Sequence, residues 1–207
     1  MLAARVAALA RPALVAIDGV DGAGKTVLAD DLAVVLREGG VPVVRVGIDG
    51  FHRPRADRYR RGRGSPEGYF LDSFDLVALR ECVLDPVRRG TGAVRTAAFD
   101  YRTDRPVEPG PGVPVHGVVV LLDGVFLHRD ELAGAWDLSV FLRAPFEVTV
   151  DRMGARDGTP RAVDDPHNVR YVEGQRHYLA RCRPEERADV VLDVTDVTAP
   201  VVVSGLG

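Results

Sequence analysis

A glycine-rich stretch near the N-terminus has the residue types and spacing of a phosphate-binding loop. It runs Asp18-Gly19-Val20-Asp21-Gly22-Ala23-Gly24-Lys25-Thr26 and fits the pattern G-x-x-x-x-G-K-[ST]. Glycines let backbone N–H groups turn inward around phosphate oxygens, and the N-terminus of a following helix adds partial positive charge. We therefore predict that the chain binds a nucleoside triphosphate through Gly19, Asp21, Gly22, Ala23, Gly24, Lys25 and Thr26.

The residues on either side of this loop agree with that function. An apolar run over residues 13–17 predicts a buried strand, and residues 27–36 carry apolar side chains at helical spacing. A phosphate-binding loop requires this order of strand, loop and helix, which argues against a chance glycine-rich turn. Lys25 is also the only lysine among the 27 Lys and Arg residues. A compact ammonium fits between two phosphates better than a planar guanidinium does.

Three apolar runs in the sequence end in the same Asp-Gly pair, at Asp18, Asp49 and Asp123. The carboxyl ends of parallel strands meet at one edge of a sheet, where ligands bind. Asp123 has the form of a Walker-B acid, so we expect it to hold Mg²⁺ with Thr26, directly or through water. Asp49 is then free to accept a proton from a substrate hydroxyl. Asp-Gly is also a common turn pair, and for Asp18 we keep that structural interpretation.

Two arginines further along the chain are candidates for neutralising a transferred phosphoryl group. Arg152 and Arg156 lie four residues apart, and therefore on one face of a predicted helix. The polar segment that follows, at about 157–166, has the composition of a small lid that could close over a ligand. Arginines in that position stabilise the charge that develops during phosphoryl transfer. Ion pairs with neighbouring aspartates are the alternative.

Composition limits the possible partners. A net charge of −3 argues against general affinity for nucleic acid or membranes, although six arginines fall between Arg53 and Arg63. No apolar run approaches the length of a membrane span. Cys82 and Cys182 are far apart and lack metal-ligand spacing, so we expect free thiols in a reducing cytosol and a cytoplasmic protein. The oligomeric state stays open, with a homo-oligomer as one option.

The periodicity of the chain predicts an α/β fold. Helices are expected at residues 27–36, 74–89, 128–135, 146–156 and 167–181, and strands at residues 13–17, 41–48, 92–99, 115–122, 138–142 and 189–194. Buried strands that alternate with helices imply a mostly parallel sheet covered on both faces. With 207 residues we expect a single domain over 1–207, with a loop excursion at about 50–70.

The order and spacing of these motifs resembles the uridine kinase-like branch of the P-loop kinases, which includes uridine–cytidine kinases, phosphoribulokinase and bacterial pantothenate kinase. The resemblance covers Val15 to about Val194 and is carried by Gly19–Thr26, Asp49–His52, Gly64–Glu67, Phe99–Tyr101, residues 120–124, the Arg152/Arg156 helix and residues 188–191. It implies a P-loop NTPase fold with a small mobile lid, and the use of ATP and Mg²⁺. It also implies Asp49 as the catalytic carboxylate, Asp123 as the Walker-B acid, and Lys25, Arg152 and Arg156 as further catalytic residues.

This resemblance weakens where the substrate would bind. Uridine kinases hold the ribose hydroxyls with an Asp in an Asp-His-Pro segment, and that place is taken here by Tyr69 or Phe70, with Asp72 nearby. Their base-reading His is replaced by Asp104. An ionised carboxylate accepts hydrogen bonds without donating, which suits an amino group such as cytosine N4. The predicted substrate-binding residues are Asp49, His52, Tyr69, Asp72, Tyr101 and Asp104.

We therefore predict an ATP-dependent kinase that phosphorylates a hydroxyl of a small molecule, with the 5′-hydroxyl of a nucleoside as the leading candidate. Pantothenate or sugar kinase activity stays open, because Gly-x-Pro-Glu near an aromatic residue occurs in those relatives too. A thymidylate kinase-like enzyme has a similar loop, but its Asp-Arg-Tyr motif is matched here by residues 57–59 in a polar loop. A nucleotide-binding switch without an acceptor is the alternative outside enzymes, and it would need no base at Asp49.

Overall fold

A six-stranded sheet organises the computed structural model, which describes residues 1–206. The strands, numbered along the chain, are β1 (Ala13–Gly19), β2 (Val43–Gly47), β3 (Ala93–Val94), β4 (Phe99–Asp100), β5 (Arg105–Pro106), β6 (Val113–Pro114), β7 (Val119–Gly124), β8 (Leu138–Arg143), β9 (Val190–Asp193) and β10 (Val201–Ser204). The main sheet has the order β10-β9-β8-β1-β7-β2. Its strands run parallel except β10, which is antiparallel to β9. The predicted α/β class with a mostly parallel sheet is confirmed.

Helices lie on both faces of this sheet. They are α1 (Leu2–Ala7), α2 (Lys25–Glu38), α3 (Arg55–Arg58), α4 (Pro66–Asp72), α5 (Leu76–Leu79), α6 (Asp85–Arg89), α7 (Phe146–Asp157), α8 (Pro166–Cys182) and α9 (Pro184–Arg187). Short 3-10 helices cover Ile48–Phe51 and Asp130–Leu132, and a π-helical turn over Arg80–Leu84 joins α5 to α6. None of the helices within residues 1–206 is long and apolar enough to cross a membrane.

Strand β1 is buried along its whole length because it separates two hydrophobic clusters. Leu14 and Ala16 pack in a cluster with residues of α4, α5, α6 and α8. Val15 and Ile17 point the other way, into a cluster with residues of α1 and α2. Alternate side chains of a strand face opposite sides of the sheet, so a strand covered on both faces must be apolar throughout. This arrangement places the end of β1, and with it the glycine-rich loop, at the centre of the carboxyl edge.

Several predicted elements differ from the observed ones. The strand expected at 92–99 is only the two short strands β3 and β4, which pair antiparallel with β6 and β5 instead of joining the main sheet. The helix expected at 128–135 is a single 3-10 turn, and Gly134 follows it with a positive φ of 71°. The strand expected at 41–48 is the edge strand β2, so it is only partly buried. The helix expected at 74–89 is confirmed, with the π-turn before Pro86. Proline lacks the N–H that a regular turn needs there.

The excursion and the lid segment also have defined positions. Residues 53–65 form turns around α3, and residues 158–165 connect α7 to α8. Helix α7 ends at Gly158, which has φ +69°, and the Asp165 side chain caps α8 by accepting from the His167 N–H at 2.9 Å. Asn168 donates to the carbonyls of residues 160 and 162, each at 2.8 Å, so the predicted lid is attached to α8. Its mobility stays a prediction.

The Asp18 carboxylate joins three parts of the chain at the end of β1. It is fully buried, and one oxygen accepts from the Gly19 N–H at 2.7 Å. The other oxygen accepts from the N–H groups of Leu127 and His128 at 3.0 and 3.1 Å and from the Tyr178 hydroxyl at 2.5 Å. His128 Nδ1 lies 2.7 Å from the same oxygen. Burial and the negative charge of Asp18 raise the pKa of Tyr178, which keeps its hydroxyl a donor. The structural interpretation of Asp18 is thus confirmed.

Replacing Asp18 with asparagine should destabilise the protein severely. In either orientation the amide nitrogen would face N–H donors, and a buried donor without an acceptor is costly. We expect Asp18→Asn to lower the free energy of unfolding by about 3 kcal/mol. The measurement is urea denaturation followed by circular dichroism. The exposed Asp164 offers a control, because Asp164→Asn should change stability by no more than about 0.5 kcal/mol. Equal stability of the two variants would contradict the role of Asp18.

Candidate active site at the carboxyl edge

The glycine-rich loop connects β1 to α2 with two glycines in the left-handed region. Gly22 has φ +76° and Gly24 has φ +88°. A Cβ on Gly22 would lie 2.2 Å from the Thr149 carbonyl oxygen on α7, so this position also lacks room for a side chain. Gly24 immediately precedes Lys25, the first residue of α2. The loop therefore presents its backbone at a helix N-terminus, which is the geometry of an anion-binding site.

Lys25 and Thr26 both face the carboxyl edge of the sheet. Lys25 Nζ donates to the Val20 carbonyl oxygen at 2.8 Å, across the mouth of its own loop. The Thr26 hydroxyl donates to one carboxylate oxygen of Asp123 at 2.7 Å. These two residues meet because β1 and β7 are neighbours, with Ile17 paired to Asp123. The predicted pairing of Thr26 with Asp123 is present, although they are 97 residues apart in the chain.

Arg45 was missed by the sequence analysis and occupies the other side of Asp123. Its guanidinium donates to the second Asp123 carboxylate oxygen at 2.9 Å, to the Leu121 carbonyl at 3.0 Å and to Asp30 at 2.9 Å. Arg45 lies on β2, between the buried residues Val44 and Val46, and faces α2. The available signal was a single charge inside an otherwise apolar strand. A charge there requires a partner, and the neighbouring strand ends in one.

The donor set at Thr26 and Asp123 fits a magnesium ion. A hydroxyl and a carboxylate are the hard oxygen ligands that Mg²⁺ takes in P-loop proteins. Within residues 1–206, no group of three or more His, Cys, Asp or Glu side chains could hold a metal by itself. A cation here would complete its shell with phosphate oxygens and water, as Mg²⁺ commonly does. The assignment of Mg²⁺ stays a prediction.

Asp21, inside the loop, is fixed by two other helices. The Tyr69 hydroxyl donates to its carboxylate at 2.6 Å, and the Gln175 side-chain amide donates at 2.8 Å to the same oxygen. The Asp21 N–H in turn donates to the side-chain Oε1 of Gln175 at 2.8 Å. Burial and the charge of Asp21 raise the pKa of Tyr69 well above its usual value. The Tyr69 hydroxyl is therefore engaged with the loop, whereas the sequence analysis placed it on the substrate.

Two cavities open at this edge. The larger, of about 800 Å³, is lined by the glycine-rich loop, Lys25, Thr26, Asp123 and the α7 residues Arg152 and Arg156. The smaller, of about 360 Å³, lies beneath the excursion and α8. Both volumes are within the range of small-molecule sites. The residues common to both walls are Asp21, Asp49, His52, Tyr69, Met153 and Arg156.

Asp49 stands at the junction of the two cavities with a perturbed carboxyl. Its side chain is 67% exposed and lines both cavities. Desolvation raises the pKa of Asp49, and the charges of Asp21 and Asp123 raise it further, while His52 and Lys25 oppose the change. A carboxylate with a raised pKa is a stronger base, which suits the predicted role.

His52 and Tyr101 form an aromatic wall beside Asp49. Their ring centroids are 4.7 Å apart, and His52 Nδ1 lies 3.0 Å from the Asp49 carbonyl oxygen and 3.8 Å from its carboxylate. Both residues line the smaller cavity. Burial is the main factor that lowers the pKa of His52, so the ring is neutral at pH 7. These two members of the predicted substrate set are therefore next to the candidate base.

Arg152 and Arg156 on α7 both make contacts within the protein and also line the cavities. Arg152 donates to the Thr195 carbonyl at 2.9 Å, and its other terminal nitrogen is buried without a partner. Arg156 makes two hydrogen bonds of 2.7 Å to Asp157, so the ion pair considered as the alternative is present. Arg156 nevertheless lines both cavities and Arg152 the larger one. Their catalytic role stays a prediction.

Two predicted substrate residues lie outside both cavities. Asp72 is 1% exposed in its side chain and accepts from Arg60 at 2.5 Å and Arg61 at 2.8 Å, which hold its pKa low despite its burial. Asp104 accepts from the Arg55 N–H at 2.8 Å. The sequence could not show that nearby arginines of the excursion use these carboxylates first. Neither residue lines the two cavities, and contact of Asp72 or Asp104 with the substrate stays a prediction without structural support.

The Asp49 carboxyl should titrate above the ordinary value of 3.8, and the titration should depend on His52. Protonated His52 favours the Asp49 anion and so lowers its pKa. Removing that positive charge in His52→Gln should move the Asp49 titration to higher pH. The measurement is NMR of ¹³C-labelled aspartate, with Asp49→Asn used to assign the signal. An unchanged or lower pKa in His52→Gln would contradict the coupling.

Comparison with known proteins agrees with this arrangement. No protein-family model matches the chain. Uridine kinase from Leuconostoc citreum (strain KM20) is 26% identical over 184 residues, which cover 84% of this chain and 79% of that protein. The structure of a possible uridine kinase from Bacillus stearothermophilus is 26% identical, with a TM-score of 0.68 and coverage of 92% of this chain and 94% of the other. Phosphoribulokinase from Rhodobacter spheroides shares the fold at 19% identity and a TM-score of 0.55, over 86% of this chain and 69% of the other.

Proposed function

We propose that this chain is a member of the uridine kinase-like P-loop kinases and transfers the γ-phosphoryl group of ATP to a hydroxyl group of a small molecule. The observation that carries the proposal is the position of Asp49, which lies where a cavity lined by the phosphate-binding loop meets a second, smaller cavity. A donor in the first cavity and an acceptor in the second would meet at this carboxylate. Proximity of two bound reactants to a base is a large part of what such enzymes supply.

The residues of the site divide into three roles in this proposal. The loop amides and Lys25 hold the phosphates of ATP, and Thr26 and Asp123 hold Mg²⁺, which neutralises charge on those phosphates when bound. Asp49 accepts the proton of the acceptor hydroxyl while the oxygen of that hydroxyl forms a bond to the γ-phosphorus. The bond from that phosphorus to the bridging oxygen breaks, and ADP leaves. Arg152 and Arg156 stabilise the charge on the transferred group.

The acceptor is less narrowly defined than the donor. One relative named uridine kinase and a second named a possible uridine kinase support a nucleoside 5′-hydroxyl. The His52–Tyr101 wall offers aromatic faces on which a base could stack. Asp72 and Asp104, which were expected to read ribose and base, lie outside the cavity and give no such support. A sugar, pantothenate or nucleotide acceptor therefore stays open beside the nucleoside.

A nucleotide-binding switch is the rival from outside enzymes. It would bind nucleotide at the same loop and consume no ATP with any acceptor. The second cavity and the raised pKa of Asp49 favour the kinase, because a switch requires neither. Screening ATP consumption against uridine, cytidine, deoxynucleosides, pantothenate, sugars and sugar phosphates separates the two functions.

Replacing Asp49 with asparagine should leave ATP binding nearly intact and reduce turnover on the best acceptor of that screen by roughly 10²–10⁴-fold, because the amide cannot accept the proton. ATP binding is measured by calorimetry and turnover by ADP release. In contrast, Lys25→Met should strongly weaken ATP binding itself. Turnover of Asp49→Asn within a few-fold of the native rate would rule out Asp49 as the base.

A further inference from the structure

The smaller cavity is lined by two buried arginines that no part of the proposed chemistry uses. Arg58, at the end of α3, is 7% exposed, and Arg170, on α8, is 8% exposed. Arginine is seldom so deeply buried unless its charge is paired. Both side chains also have an Nε atom that is buried and has no hydrogen-bond partner. These arginines are the least satisfied cations beside the acceptor cavity.

Arg170 is surrounded by aromatic rings instead of carboxylates. Its guanidinium carbon lies 4.8 Å from the centre of the Tyr59 ring, 5.4 Å from that of Tyr69 and 5.6 Å from that of Tyr171. No carboxylate oxygen within residues 1–206 lies within 4.0 Å of it. Ring faces attract a cation and hold it in place, but they do not neutralise its charge. The guanidinium is thus positioned and left without an anion.

Arg58 is only loosely paired. Its nearest carboxylate oxygen belongs to Asp104, at 3.7 Å, which is too long for a hydrogen bond. The same Asp104 oxygen already accepts from the Arg55 N–H at 2.8 Å. Asp104 therefore places a negative charge near Arg58 without accepting a hydrogen bond from its guanidinium. Five N–H donors in a planar fork match the oxygens of a phosphate or carboxylate.

The positive charge of Arg58 and Arg170 also affects the pKa values of two neighbouring residues, His52 and Tyr59. Burial lowers the pKa of His52, and the charges of Arg58 and Arg170 lower it further. Burial alone would raise the pKa of Tyr59, but the adjacent Arg170 guanidinium and the charges of Arg58 and Arg63 outweigh burial and lower it. Both shifts are those that a region of positive potential produces. Arg58 and Arg170 therefore both contribute positive potential to the smaller cavity.

We propose that the acceptor is an anionic alcohol, with a phosphate or carboxylate group bound by Arg58 and Arg170 and its reacting hydroxyl placed at Asp49. This inference rests on the proposed function and narrows its substrate. A buried cation without a partner is costly, and proteins keep such groups where a ligand completes them. A cavity of about 360 Å³ suits a compact molecule, with the hydroxyl and the anionic group at different walls. An uncharged nucleoside would leave both arginines unpaired.

The test is calorimetric binding to the whole protein in the presence of Mg²⁺ and a saturating non-hydrolysable ATP analogue, which fills the phosphate-binding loop. Probes are matched pairs that differ by one anionic group: ribose 5-phosphate against ribose, and glycerate against glycerol. Uridine serves as the neutral nucleoside. We expect at least one anionic probe to bind tenfold or more tightly than its neutral partner and than uridine. The pair that responds identifies phosphate or carboxylate.

Variants assign this preference to the two arginines. Arg58→Met and Arg170→Met should each reduce the affinity for the anion by tenfold or more, and Arg170→Lys should retain part of it. The matched controls are exposed arginines of the same helices, Arg55→Met on α3 and Arg181→Met on α8, which should bind the anion normally. The comparison of probes on the native protein stands even if a variant fails to fold.

The inference and the proposed function fail in different ways. Uridine binding as tightly as the anions, or an anion preference that survives in both methionine variants, would overturn the inference and leave the kinase intact. Anion binding that depends on Arg58 and Arg170, with no ATP consumed on any acceptor, would support the anion site and count against the kinase.

Discussion

The buried carboxylate of Asp18 is the interaction on which the rest of this structure depends. It ends the central strand, and its hydrogen bonds reach the first residue of the loop, the chain after β7 and the middle of α8. A buried anion is stable only when donors surround it, so these segments cannot move apart without exposing an unpaired charge. The Asp18 carboxylate thus helps to hold the phosphate-binding loop in position relative to α8.

A second carboxylate extends the same constraint into the site. Asp21 is held by Tyr69 from α4 and Gln175 from α8, so the loop, α4 and α8 form one hydrogen-bonded unit. Such networks restrict the geometry of a site because each member is costly to leave unpaired. A ligand in the smaller cavity therefore lies against groups that also fix the loop. These hydrogen bonds connect the glycine-rich loop to the wall of the smaller cavity.

The unpaired groups of the structure collect where ligands are expected. Within residues 1–206, four buried side-chain nitrogens have no partner, and three of them belong to arginines that line the two cavities: Arg58, Arg152 and Arg170. Elsewhere arginines are satisfied locally, as Arg60 and Arg61 are by Asp72. A fold normally pairs its buried polar groups, and exceptions concentrate at functional sites. Positive charge without a partner is thus a property of the site, and the rest of the arginine-rich excursion is solvated or paired.

The amino-acid sequence was sufficient to predict the loop, the parallel sheet and the carboxylates at the strand ends, because these depend on local patterns: glycine spacing, continuous apolar runs and Asp-Gly pairs. The family resemblance pointed to the same site. The folded structure was needed to see which charged side chains line the cavities and which are paired elsewhere. It shows Asp72 and Asp104 bound to nearby arginines, gives Asp123 the partner Arg45 that the sequence analysis missed, and brings Arg58 and Arg170, which are distant in the chain, to the wall of one cavity. Pairing between distant side chains leaves no periodic trace in a sequence, because it depends on how the helices pack.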